Sequence, residues 1–165
     1  MSFLVGKCAE CREDVLIHNN YYCKPCNSAH WQDNFQKWTS GDSTIDQLIQ
    51  ESQINATDPR ETIEWIEYSN LENFEHVADG GFSSVYKAIW KDGPIEYDYD
   101  SYDDDSVNYR YWDIGNSNWI RKSDTLVAVK KLRNATRVTP EFLNEVKNII
   151  FVSKYTNISN LINDI

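Results

Sequence analysis

The sequence predicts an α+β chain in which a small cysteine-bearing module and a helical linker precede an antiparallel β-sheet with one further helix. Three observations predict it. All four cysteines fall within the first 26 residues, as two Cys-x-x-Cys pairs. Apolar residues then recur at helical spacing from Trp31 to Ile49. From Ile63 onward the chain turns to Val-, Tyr-, Phe- and Ile-rich runs separated by turn residues. The expected organisation is 1–39 for the module and its helix, 40–62 for the linker, and 63–165 for the sheet domain with an acidic insertion over 92–124.

A Cys-x-x-Cys turn points two sulfurs at one spot. Cys8-x-x-Cys11 and Cys23-x-x-Cys26 are separated by 11 residues. Two such turns supply four thiolates for a tetrahedral Zn²⁺ with Zn–S about 2.3 Å, in a tight zinc-ribbon-like module. Two disulfides are the plain alternative. They are disfavoured because the start, Met1-Ser-Phe-Leu-Val-Gly-Lys7, lacks the features of a secretory signal and the cytosol keeps thiols reduced. A redox dithiol is a third reading, but redox motifs seldom come as matched pairs in so short a segment. His18 and His30 are spare donors, not needed once four thiolates are present. A closed four-thiolate site leaves no open position for water. Its expected role is structural, folding a segment with almost no core of its own.

The balance of 16 basic against 26 acidic residues gives a net charge of −10. That field disfavours nucleic acid and anionic lipid as partners. No apolar run approaches the roughly 18 residues a membrane helix needs, so a soluble, cytoplasmic protein is expected. Hydrophobic residues at 41% are enough for a packed core.

Trp31, Phe35 and Trp38 recur at i, i+4 and i+7, one face of a helix that Gly41 should end. The expected role of this stripe is packing on the module or the next helix; an aromatic docking stripe is the alternative. Asp42 and Ser43 are good N-caps, and Ser43-x-x-Asp46 is a weak capping box. Ile45, Leu48 and Ile49 form a second apolar face. The polar stretch 51–62, broken by Asp58-Pro59, reads as a linker.

Strands are expected at 73–78, 84–90 and 125–132. Between the last two, Asp92 to Asp105 carries seven acids and no base, with Tyr97, Tyr99 and Tyr102 interleaved. A solvated, self-repelling loop is expected there. A tyrosine phosphorylation segment or a cation site is the sharper alternative, though no spacing matches a calcium loop. Gly115-Asn116-Ser117-Asn118 is turn chemistry between Trp112 and Trp119, so a small hairpin should lead toward the strand at 125.

The chemistry concentrates in Val77-Ala-Asp-Gly-Gly-Phe-Ser-Ser-Val85-Tyr-Lys-Ala88, which lies between two expected strands. A strand–turn–strand flap with small residues lets backbone N–H groups approach an anion. Val127-Ala128-Val129-Lys130 follows in a strand. Thr139-Pro140-Glu141 then starts a helix with Phe142, Val146 and Ile149 on one face and Glu145 within it.

In type, order and context these segments resemble the amino-terminal lobe of a protein kinase. The resemblance implies that Lys130 holds the α- and β-phosphates of ATP and that Glu145 pairs with Lys130. It places Val77, Ala78, Gly80, Gly81, Phe82, Ser83 and Val85 at the nucleotide, with Val77, Val85 and Ala128 lining the adenine slot. Over roughly residues 5 to 150 the chain is closer still to kinase-like proteins expanded in certain fungi. Those join a Cys-x-x-Cys pair module and a Trp-Thr-Ser-Gly stretch, here Trp38 to Gly41, to a Trp-Ile-x-Tyr lead-in, here Trp65 to Tyr68, and a kinase domain.

Two departures bear on activity. The loop keeps only the middle glycine of three, reading Ala78-x-Gly80-x-x-Ser83 with Gly81 beside it, so weaker Mg-ATP binding is expected. The 165 residues also contain no His-Arg-Asp loop and no Asp-Phe-Gly, hence neither a catalytic base nor a metal-holding aspartate of that family. The implied family activity is ATP-dependent protein phosphorylation, with no turnover expected from this chain alone. The competing expectation is a zinc-stapled pseudokinase fragment that binds a protein partner through an uncovered face of the lobe.

Overall fold

The computed structural model describes residues 5–16, 22–81, 83–96, 98–100 and 108–132. The architecture is α+β, with antiparallel sheets and two α-helices among the described residues. The chain forms two compact units. The first comprises Met1–Glu64 and Ile95–Arg121, and the second Trp65–Pro94 and Lys122–Ile165. The helix expected after Thr139, with Glu145, lies outside the described residues, as do Phe82, His18, Tyr97 and Tyr102.

The first unit opens with strands β1 (Val5–Lys7) and β2 (Asp14–Leu16), paired antiparallel with Gly6 opposite Val15. Opposite charges face each other across the ladder, with Lys7 Nζ 2.5 Å from Asp14 Oδ1. The connecting turn carries the first cysteine pair. It closes through Cys8 N–H to the Glu13 carbonyl at 2.9 Å and Arg12 N–H to the Cys8 carbonyl at 3.1 Å.

Helix α1 (Lys24–Gln32) begins inside the second cysteine pair, with Cys23 as N-cap and Pro25 in the first turn, where a missing N–H costs nothing. The single helix expected through Trp31, Phe35 and Trp38 is instead two pieces. The α-helix stops at Gln32 and a 3₁₀ turn spans Phe35–Lys37. Asn34 is the physical reason: its side-chain amide donates to the His30 carbonyl at 2.7 Å and satisfies the helix end.

Helix α2 (Ser43–Asn55) starts where the sequence indicates, but runs five residues into the stretch read as linker. Asp42 is the N-cap, its Oδ1 accepting from Thr44 and Ile45 N–H. Asp46 does not complete a box with Ser43. It accepts from Ser40 and Thr39 instead, and those bonds hold its carboxyl below the usual carboxylate range. The helices are tied by Ser28 Oγ donating to the Ile54 carbonyl at 3.1 Å. Buried Gln53 donates through Nε2 to the Ile63 carbonyl at 2.7 Å, fastening the segment after α2.

Among the described residues the second unit is a three-stranded antiparallel sheet, β3 (Leu71–Asp79), β4 (Ser83–Trp90) and a final strand Thr125–Leu132, with β4 in the centre. All three expected strands are present. Bulges interrupt β3 between Glu72 and Glu75 and between His76 and Ala78. Between β4 and the final strand the chain makes the excursion Ile95–Arg121, which clusters with the first unit. The excursion holds β5 (Asp98–Asp100) paired with β6 (Asn108–Arg110), and β7 (Trp112–Asp113) paired with β8 (Asn118–Trp119). The expected Trp112–Trp119 hairpin is thus formed. The final strand is therefore β9.

The core of the first unit is aromatic: Tyr22, Trp31, Tyr111 and Trp119 with Ala56, flanked by Phe35, Ile95 and Trp112. Residues from α1 and from the excursion thus share one core. Trp31 and Trp119 lie with centroids 4.5 Å apart, and Tyr22 meets Tyr111 edge-on at 5.7 Å. Burial pushes the Tyr22 phenol up to about 12. No described helix is long and apolar enough to cross a membrane.

Candidate metal centre

The four cysteines converge although the two pairs come from different kinds of structure. Cys8 and Cys11 sit on the turn between β1 and β2. Cys23 and Cys26 sit at the N-cap and first turn of α1. The sequence reading expected a turn for each pair; the second pair uses a helix start instead. That position suits thiolates, because the N-terminal end of a helix favours negative charge.

All four sulfurs lie within 4.8 Å of one another, close enough to hold a metal ion. Cys8 Sγ is 3.9 Å from Cys26 Sγ, and Cys11 Sγ is 3.6 Å from Cys23 Sγ. No disulfide is formed among them. Cys8 and Cys23 are buried, Cys26 is half-buried and Cys11 is exposed. The Glu10 backbone N–H donates to Cys8 Sγ at 3.4 Å, which orients that sulfur.

The thiols differ in their electrostatic setting. The backbone N–H of Glu13 pulls the Cys11 thiol below its ordinary value. Burial pushes Cys23 up to about 11 and raises Cys26 as well. Buried thiolates are costly by themselves and become favourable beside a divalent ion, so a metal bound by these four sulfurs would displace thiol protons.

His30, a spare donor in the sequence, is not one of the grouped ligands. Its Nε2 lies 2.6 Å from Glu10 Oε2, and its ring stacks on Trp112 at 3.8 Å with 7° between planes. Sequence reasoning missed this shell of Glu10, His30 and Trp112. No local pattern links residues so far apart, and Glu10 inside the first cysteine pair is the one cue.

The other candidate residues lie in the second unit. Gly80 and Gly81 form the turn between β3 and β4, closed by Gly80 N–H donating to the Ser83 carbonyl at 2.7 Å. Ala78, Val85 and Lys130 are directly opposite one another across the three strands. Ala128 lies two residues before Lys130 and on the same face. Val77 falls in the bulge between His76 and Ala78. Buried Ser83 opens β4 opposite Leu132. Ser84 Oγ donates to Asp79 Oδ1 at 2.6 Å, and His76 Nε2 lies 3.2 Å from Asp79 Oδ2. Pairing of Asp79 with Ser84 puts that carboxylate on the face opposite Lys130. No protein-family model, curated protein or solved structure matches the chain.

Proposed function

We propose that this chain joins a structural Zn²⁺ centre to a nucleotide-binding sheet of the protein kinase type. The observation that carries the first half is the spacing of the sulfurs. A tetrahedral site with Zn–S about 2.3 Å has S···S edges of about 3.8 Å. The two sulfur contacts of 3.6 and 3.9 Å fit that edge. A disulfide needs about 2.05 Å. Four protein thiolates close the coordination shell, so the ion organises the fold and performs no hydrolysis. Elemental analysis of the full chain purified under reducing conditions tests this half. One zinc per chain is expected, and a folded chain without bound metal contradicts it.

The second half is supported by the cross-strand row Ala78–Val85–Lys130 beside a glycine turn. Neither Gly80 nor Gly81 has a left-handed φ. A Cβ at Gly81 meets no described atom within 4 Å, and one at Gly80 meets only Ser83, at 3.4 Å and beyond. Packing among the described residues therefore does not require glycine at these positions. Close approach of an anion to the backbone would. Asp79, held by Ser84 and His76, keeps its charge off the Lys130 face. On this reading Lys130 grips phosphate and Val85 and Ala128 contact the base, with Glu145 as the partner of Lys130. Mg-ATP should raise the melting temperature of the full chain, by about 1.4 kcal/mol of stabilisation at roughly tenfold excess over Kd. Lys130→Ala should abolish that rise and Ala78→Gly should enlarge it. A folded chain whose melting temperature ignores Mg-ATP overturns this half.

A further inference from the structure

We infer that the metal centre governs whether the excursion Ile95–Arg121 is folded, acting through the contact chain Glu10–His30–Trp112. The inference rests on the reading of the four cysteines as metal ligands and asks what that ion controls beyond its own loop.

Both ends of the first link are anchored on ligand-bearing segments. Glu10 lies inside the first cysteine pair and its backbone N–H is bonded to Cys8 Sγ. His30 lies on α1, whose N-cap and first turn carry Cys23 and Cys26. The 2.6 Å contact between Glu10 Oε2 and His30 Nε2 therefore forms only when the turn and the helix are held together. The four sulfurs are where a metal would hold them.

The second link runs from His30 into the excursion. The imidazole stacks on Trp112 at 3.8 Å and meets Trp119 edge-on at 5.9 Å. Trp112 and Trp119 are paired across β7 and β8, strands of two residues each. A hairpin that short has no stability of its own. Its aromatic contacts are with His30 and Trp31 on α1, while Tyr22, just before α1, packs on Tyr111, the residue preceding β7. Helix α1, at nine residues, is in turn too short to persist alone in water. Loss of the metal frees the turn from the helix, breaks the Glu10–His30 contact and removes the surface on which the excursion rests. The β3–β4–β9 sheet has eight- and nine-residue strands, with an uninterrupted ladder between β4 and β9. A loosened connection between β4 and β9 costs it little, because loop-closure entropy changes slowly with loop length.

Amide hydrogen exchange on the full chain, with Zn²⁺ and after chelation under reducing conditions, tests this. The probes are the Glu96 and Ile120 amides, which donate to the Ile120 and Tyr111 carbonyls at 2.9 and 2.8 Å. Chelation should accelerate both by at least about tenfold, while the β4–β9 ladder amides change by less than about twofold. Unmoved Glu96 and Ile120 amides overturn the inference, and so does equal acceleration in the sheet. His30→Ala, with all four cysteines intact, should still take up one metal per chain yet exchange several-fold faster at Glu96 and Ile120. Parent-level protection in that variant overturns the route through His30. Metal content measured on the same samples separates the two failures. A chain that takes up no metal defeats the ligand reading and this inference with it. A chain that takes up one metal with unmoved amides defeats this inference alone.

Discussion

In the first unit four large aromatic side chains, Tyr22, Trp31, Tyr111 and Trp119, are buried together beside a cluster of four cysteines. In the second unit Ala88 and Trp90 are the buried apolar residues among those described, while Leu126 and Tyr68 remain 51% and 75% exposed. Charge divides the same way. The first unit holds seventeen acidic and seven basic residues, and the second holds nine of each. The first unit must therefore overcome self-repulsion with short strands and short helices. The second is near neutral and has long paired strands. A close-packed aromatic core is what the first unit has to set against its charge; on the proposed reading, a metal at the four cysteines adds to it by cross-linking the chain. Backbone ladders join the described strands of the second unit.

The sharpest way to break this contrast is to remove a ligand. Cys23→Ser should lose most of the metal-linked stabilisation, on the order of 10 kcal/mol. The first unit should then be unfolded at room temperature by near-ultraviolet circular dichroism, with the strand signal of the second retained. Next in size is the aromatic core. Trp31→Ala should cost about 3–5 kcal/mol in the denaturant-induced unfolding of the first unit while leaving metal stoichiometry unchanged.

The converse perturbation targets the second unit. Gly93 has φ +70°, and a Cβ there would collide with the Lys122 carbonyl. Gly93→Ala should destabilise the second unit by roughly 2–3 kcal/mol, read from its thermal transition, with zinc uptake intact. The smallest effect concerns pH. Below pH 10 the Tyr22 phenol is neutral folded or unfolded, and its burial contributes in full. As pH rises from about 10 toward 12 the unfolded chain ionises and the folded one does not, so stability falls across that window. Tyr22→Phe should abolish this alkaline loss, worth on the order of 2 kcal/mol, and change stability at neutral pH by less than about 1 kcal/mol.

What could be read from the sequence follows the range of the interaction concerned. The cysteine pairs were legible because ligand spacing is local, and the three long strands because alternation and turn residues are local. Gly115 to Asn118 between two tryptophans announced the Trp112–Trp119 hairpin for the same reason. The start of α1 at Lys24 was hidden because Cys23 and Pro25, not an apolar stripe, mark it. The aromatic stripe, in turn, suggested one helix where Asn34 ends it early. Least legible was the packing of Tyr111 and Trp119 against Tyr22 and Trp31. That contact spans most of the chain and leaves no periodic trace in either segment. His30 looked like a spare ligand, because nothing local shows that Glu10 and Trp112 occupy its two sides.

The most direct measurement of the central claim is native mass spectrometry of the full chain purified under reducing conditions, before and after chelation. The account predicts one zinc ion per chain, four free thiols once it is removed, and a shift toward highly charged, unfolded species on its loss. A chain that carries no metal, or one whose cysteines are paired as two disulfides, with an unchanged folded charge distribution in either case, would contradict it.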